Sequence, residues 1–148
     1  MTKSVTSKNI VLYADDDADD LQLVQEAFVQ YANYVRVITV KDGIEALSYL
    51  NNLAEFDPLP CLIILDVNMP RMNGKEALFS IRQIKRFELV PVILFTTSNQ
   101  SLDKDFANHY KAGFITKPID VRQMDIITET FIDHCTEEIR KNIRKEAR

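Results

Sequence analysis

Five short, almost uninterrupted apolar runs recur along the chain at residues 9–14, 34–40, 61–65, 90–95 and 113–116. Each is too brief for a helix, and strands buried on both faces read as continuous rather than alternating apolar segments. Helical spacing fills the gaps between them. Leu21, Val24, Ala27, Phe28 and Tyr31 define a helix from Ala18 to about Asn33, and Ile44, Leu47, Leu50 and Leu53 define a second. The Asp57-Pro58-Leu59-Pro60 segment must end that second helix. Further helices are expected from about Gly74 to Arg86, from about Leu102 to Lys111, and from Asp120 onward. Strands alternating with helices predict an α/β fold, a doubly wound parallel sheet of five strands covered on both sides. In such sheets the ligand site lies beyond the carboxyl ends of the strands, where strand order reverses.

The chain has 148 residues, enough for one domain with a substantial core. We read 1–148 as a single domain with a core at about 9–132, and 133–148 as an extension of the last helix. The net charge of −4, without a long charged block, gives no electrostatic case for nucleic-acid binding. Cys61 and Cys135 lack metal-ligand spacing and read as reduced core thiols. Residues 1–8 contain no apolar signal core, and no apolar run approaches the ~20 residues of a membrane span. A cytoplasmic location is expected.

The strand ends carry the chemistry. Asp15, Asp16 and Asp17 follow strand one, Asp66 follows strand three, Thr96, Thr97 and Ser98 follow strand four, and Lys117-Pro118 follows strand five. Clustered carboxylates stay ionised together when a cation neutralises them, and an oxygen-only donor set suits Mg²⁺ or Mn²⁺. Asp15, Asp16 and Asp66 give three negative charges, which one divalent cation and Lys117 balance. A carboxylate is a competent nucleophile toward phosphorus, and Asp66, ending the most apolar strand, is the best placed.

Together, Asp15-Asp16, the run Leu65-Asp66-Val67-Asn68-Met69-Pro70 leading to Gly74, Thr96 and Lys117-Pro118 resemble the receiver domain of two-component response regulators, over about residues 9–132. The resemblance implies a flavodoxin-like strand order of 2-1-3-4-5. It implies that Asp66 accepts a phosphoryl group from a sensor histidine kinase or a histidine phosphotransfer protein. It further implies that Asp16, Asp66 and the backbone carbonyl of Asn68 bind the metal directly, with Asp15 assisting through water. Lys117 would pair with phosphoryl oxygens. Thr96 and Phe114 would form a switch acting on the face of helix four, strand five and helix five. The protein would then be a self-phosphorylating acceptor with slow loss of phosphate, not a conventional enzyme. Two departures stand out: Thr97 replaces the family's usual small residue, and the segment before strand five is shortened. Thr97 and Ser98 are either tuners of access to Asp66 or plain loop residues.

Other readings fare worse. Asp15, Asp17, Asp19 and Glu26 match acidic positions of an EF-hand calcium loop, but Asp20 stands where its turn needs Gly and a strand precedes it. A dehalogenase-type phosphatase needs an acid where Asn68 stands. A Rossmann site needs glycines where this chain has acids. A pseudo-receiver, with a structural pocket, is the remaining rival, supported by Thr97 and opposed by the intact acids, Thr96 and Lys117. Asp17, Asp19 and Asp20 read as helix N-terminal acids. Gly74 and Pro70 read as backbone-shaping residues, and His109 and His134 as solvated or satisfied side chains.

From Asp120 an apolar stripe of Met124, Ile127, Phe131, Cys135, Ile139 and Ile143 runs almost to the end of the chain. A single helix of that length would span ~43 Å at 1.5 Å per residue, so its end should project. Arg140, Lys141, Arg144 and Lys145 suit either a solvated helix terminus or a surface for a homodimer or partner. With no segment left for a DNA-binding module, output is expected through protein contact or phosphoryl relay.

Overall fold

The computed structural model describes residues 8–147, with the side chains of 145–147 outside the description. Residues 1–7, part of the stretch read as lacking a signal core, lie outside the described residues, as does the side chain of Lys145. The elements run β1 (Asn9–Ala14), α1 (Ala18–Ala27), β2 (Val35–Val40), α2 (Gly43–Asn51), β3 (Leu62–Leu65), α3 (Gly74–Gln83), β4 (Val92–Thr96), α4 (Ser101–His109), β5 (Gly113–Thr116), α5 (Met124–Asp133) and α6 (Glu137–Ala147). All neighbouring strands pair in parallel, in the order β2-β1-β3-β4-β5, so the expected doubly wound sheet is present. The order reverses between β1 and β3, which sets a crevice at their carboxyl ends.

Alternate side chains of each strand feed two cores. Val11 and Tyr13 of β1 and Ile64 of β3 join Val24 of α1, Phe28 just after it, and Phe131 and Ile132 of α5 on one face. Leu12, Ala14, Ile63 and Leu65 meet Leu50 of α2, Leu78 and Ile81 of α3, and Ala107 of α4 on the other. Burial on both faces explains why the strands read as continuous apolar runs. Cys61 and Cys135 are free thiols buried in the first core, and the Cys135 thiol together with burial pushes the Cys61 thiol far up. No helix among the described residues is long and apolar enough to cross a membrane.

Helix ends follow local chemistry. Asp17 caps α1 by accepting the N–H groups of Asp19 and Asp20, and Asn73 with Glu76 forms a capping box on α3. Asp42 caps α2 and also takes the Arg71 guanidinium, contacts that hold its carboxyl below the ordinary range despite the opposing effect of its burial. Helix α1 is shorter than its apolar periodicity predicts. It ends at Ala27, and a 3-10 turn over Val29–Tyr31 carries the Tyr31 ring into the core. Gly74 is set by close approach: a Cβ there would lie 2.1 Å from the carbonyl oxygen of Asp66, so only glycine lets α3 start against the end of β3.

The end of the chain does not project. The helix expected to run unbroken from Asp120 instead breaks at 134–136, and α6 folds back on the domain. Ile143 is 1% exposed in the core shared by α1 and α5, and Ile139 packs against it. Arg144 reaches Asp133 Oδ1 at 2.6 Å and Glu129 Oε2 at 3.0 Å. Removing isoleucine side chains from water contributes ~1.5–3 kcal/mol each, which outweighs the few backbone hydrogen bonds lost at the break. This stripe is therefore used within the chain, and the extended helix, which could have ended as a solvated terminus or offered a homodimer or partner surface, is not formed among the described residues.

Two outcomes are expected. Ile143→Ala should lower stability by about 2–4 kcal/mol in urea unfolding, whereas a solvated terminus would show no change. Lys111, just after α4, holds φ at 56° while Ala112 N–H donates to Ala107 carbonyl, a turn that glycine adopts without strain. Lys111→Gly should therefore raise stability by about 1 kcal/mol in the same measurement.

Candidate functional site

The ladder of the sheet brings two acids side by side. Asp66 N–H donates to the Ala14 carbonyl at 3.0 Å, and Asp15 N–H donates to the Val40 carbonyl at 3.0 Å, so both follow directly from their strands. Carboxylate oxygens of Asp15, Asp16 and Asp66 lie within 4.8 Å of one another. Asp15 and Asp66 are buried, and Asp16 is exposed. These hard oxygen donors fit a divalent cation, with Asp16 open to its arrival.

Lys117 closes the pocket from β5. Its backbone N–H donates to the Thr96 carbonyl at 2.7 Å, which places the side chain across the strand ends. The ammonium donates to Asp15 Oδ2 at 2.7 Å, Asp20 Oδ2 at 2.7 Å and Asp66 Oδ2 at 3.1 Å. Burial alone would depress the Lys117 ammonium, but the hydrogen bonds it donates to Asp15 and Asp20 outweigh it and hold the group charged. Asp66 moves the other way. Burial raises its carboxyl above the ordinary range, Lys117 pulls it down, and the neighbouring Asp15 charge pushes it up again.

Asp15 is tightly held. Its Oδ1 accepts the Asp17 N–H at 2.9 Å, and its Oδ2 accepts both Lys117 and the hydroxyl of Tyr13. Tyr13 is fully buried, and burial with the Asp15 charge keeps its phenol protonated. With Oδ2 saturated, Asp15 retains one lone pair, on Oδ1, for a metal or its water. This fits the assisting role implied for it.

On the β4 side, the buried Thr96 hydroxyl accepts the Ser98 N–H at 3.3 Å. The Ser98 hydroxyl donates to Asp103 Oδ2 at 2.6 Å, and Lys75 Nζ donates to Asp103 Oδ1 at 2.8 Å. Lys75 and Ser98 hold the Asp103 carboxyl below its ordinary range. A polar chain thus runs from Thr96 to α3 and α4. Thr97 is exposed. Phe114 sits opposite Leu94 in β5, half-buried against the α2–α4 core, with Lys104 Nζ 6.0 Å from its ring centroid. Asn68 is exposed, and its N–H approaches Asp66 Oδ1 at 3.4 Å. His134 is satisfied as expected, its Nδ1 2.8 Å from the Thr130 carbonyl.

The sequence reading missed Tyr13 and Asp20 as parts of this site. Strand alternation places residue i+2 on the same face, so Tyr13 beside Asp15 was legible in principle. Asp20 was read as a helix-dipole acid, and nothing in the spacing marks its reach to Lys117, which depends on how α1 packs. With Asp20 included, the site holds four carboxylates and one ammonium, a formal −3, and the earlier balance of charge no longer closes.

A family model of the response regulator receiver domain matches residues 11–129. The chain belongs to the response regulator receiver family. Receiver domains accept a phosphoryl group from histidine kinases on an aspartate and bind a divalent metal. The chain is 31% identical over 105 residues to the response regulator Rcp1 of Synechocystis sp., covering 70% of this chain and 71% of that one. It is 29% identical over 113 residues to a probable methanogenesis regulatory protein, FilR2, of Methanothrix harundinacea, covering 74% and 72%. Among solved structures, the phosphorylated cyanobacterial phytochrome response regulator RcpA superposes with a TM-score of 0.77 at 28% identity, covering 88% of this chain and 98% of that one. The Mn²⁺-bound form of Rcp1 gives 0.76 at 27%, covering 86% and 97%.

The receiver pocket stores electrostatic strain that is testable. Because Asp66 titrates above the unfolded value, its ionised form lowers stability at neutral pH, and protonation relieves this as pH falls through the folded value. Metal-free Asp66→Asn should therefore be more stable than wild type at pH 7. The difference should shrink at acidic pH. In thermal scans, divalent cation at about a hundred times Kd should stabilise the wild type by ~2.7 kcal/mol.

Proposed function

We propose that Asp66 is the phosphoacceptor of this receiver and that Mg²⁺ is its working metal, with Mn²⁺ able to substitute. The observation that carries this reading is the junction of Asp66 Oδ2 with the Lys117 ammonium, beside Asp15 and Asp16, at the reversal point of the sheet. Asp16, Asp66 and the backbone carbonyl of Asn68 would hold the metal directly, with Asp15 assisting through water. When bound, the cation supplies positive charge to the phosphoryl oxygens.

The chain's own residues do the rest. An Asp66 carboxylate oxygen attacks the phosphorus of a phosphohistidine as the P–N bond breaks, and the histidine nitrogen leaves with the bonding pair to take up a proton. Lys117 stabilises charge on the transferred group, the larger part of catalysis where the transition state is loose. Thr96 gives up the Ser98 N–H and turns its hydroxyl to the phosphoryl group, while Phe114 packs inward into the space left. This changes the face of α4, β5 and α5, the surface we assign to an output partner or to phosphoryl relay. Thr97 and Ser98 tune access to Asp66. Phosphoryl loss is slow.

Incubation of the protein with acetyl phosphate and Mg²⁺ should add one phosphoryl group by intact-mass measurement, and Asp66→Asn should abolish the gain. A gain surviving that substitution would sink the assignment, and no gain from any phosphoryl donor would favour the pseudo-receiver. Beryllofluoride with Mg²⁺ should shift the NMR signals of both Thr96 and Phe114, whereas changes confined to Asp15, Asp16 and Asp66 would contradict the switch.

A further inference from the structure

Asp20 has no part in the reaction laid out above, yet it holds Lys117 as closely as Asp15 does and more closely than Asp66, at 2.7, 2.7 and 3.1 Å. An ammonium has three N–H bonds, and here each has a carboxylate partner. Lys117 can reach an incoming phosphoryl oxygen only by releasing one of them. Asp15 is a poor candidate, because it is fully buried and also bound by Tyr13 and the Asp17 N–H. Asp66 is the residue to which the phosphoryl group attaches. Asp20 differs from both: it stands in the first turn of α1 with its side chain 29% exposed, so its carboxylate can turn to water at small cost.

We infer that Asp20 is a positioning residue that holds Lys117 in the unphosphorylated receiver and competes with the arriving phosphoryl group for it. The inference rests on Asp66 being the phosphoacceptor. Charge acts in the same direction. With a divalent cation bound, Asp15, Asp16, Asp20, Asp66 and Lys117 retain a formal −1, where the set without Asp20 is neutral. Asp20 therefore favours the cation and opposes the anionic donor, which slows phosphoryl entry.

The test compares wild type, Asp20→Asn and Asp20→Glu as full-length protein, with circular dichroism to establish equal folding. Asp20→Asn should take phosphate from acetyl phosphate faster, by roughly three- to tenfold, the scale of one partly screened charge at short range. Calorimetry should show weaker Mg²⁺ binding by the same variant, and Asp20→Glu should stay near wild type in both measurements. In the metal-free proteins, the ¹H–¹⁵N signal of the Lys117 ammonium should shift and broaden in Asp20→Asn. A rate that is unchanged or lower in Asp20→Asn would overturn the inference, and so would an unaltered ammonium signal. Failure of the Asp66 assignment looks different: wild type takes up no phosphate, or uptake survives Asp66→Asn. The ammonium signal still decides in that case whether Asp20 holds Lys117.

Discussion

One ammonium, Lys117, ties together the ends of β1, β3 and β5 and the first turn of α1. Each of its partners arrives by a different route: Asp15 by strand ending, Asp66 by the adjacent strand in the ladder, and Asp20 by a helix start that Asp17 caps. The arrangement is electrostatically unbalanced, because one buried cation faces a surplus of carboxylates. Asp66 shows the imbalance most directly, since its carboxyl resists ionisation even beside a lysine. A site so built has two remedies, a divalent cation or a proton, and only the first leaves the Asp66 carboxyl ionised. The divalent-metal binding common to receiver domains thus suits the way this fold concentrates charge.

Around this centre the neighbouring groups constrain rather than react. Tyr13 occupies the second oxygen of Asp15 from below, and Gly74 lets the backbone of α3 approach Asp66 where any side chain would collide. The line from Thr96 through Ser98 and Asp103 to Lys75 is a hydrogen-bonded path from the pocket to α3 and α4. Asp103 is buried with both oxygens engaged, so a change at Ser98 must be answered by Lys75 or left as an unsatisfied charge. A small movement of the Thr96 hydroxyl therefore has a defined route to the surface between those helices.

Much of this was legible in the sequence. Apolar runs ending on Asp15, Asp66 and Thr96 announce strands and place their reactive residues at one edge, because strand direction and the crossover rule leave little choice. Period alone does not supply strand order, which came with the resemblance to receivers. What escaped notice depends on packing angles. Asp20 looks like any acid at a helix start, and only the docking of α1 aims it at Lys117. The stripe through Ile139 and Ile143 was read correctly as apolar but wrongly as one rod. Periodicity cannot register a three-residue break that turns the same stripe back onto the core.

That turned-back segment bears on how other proteins approach. Helix α6 lies against the Val29–Tyr31 turn and α5, pinned by Ile143 and by Arg144 on Glu129 and Asp133, while Glu129 also accepts the Tyr31 hydroxyl. A partner coming in along this flank meets a surface already filled by the chain itself. Any protein docking on this flank would have to fit around α6 or displace it.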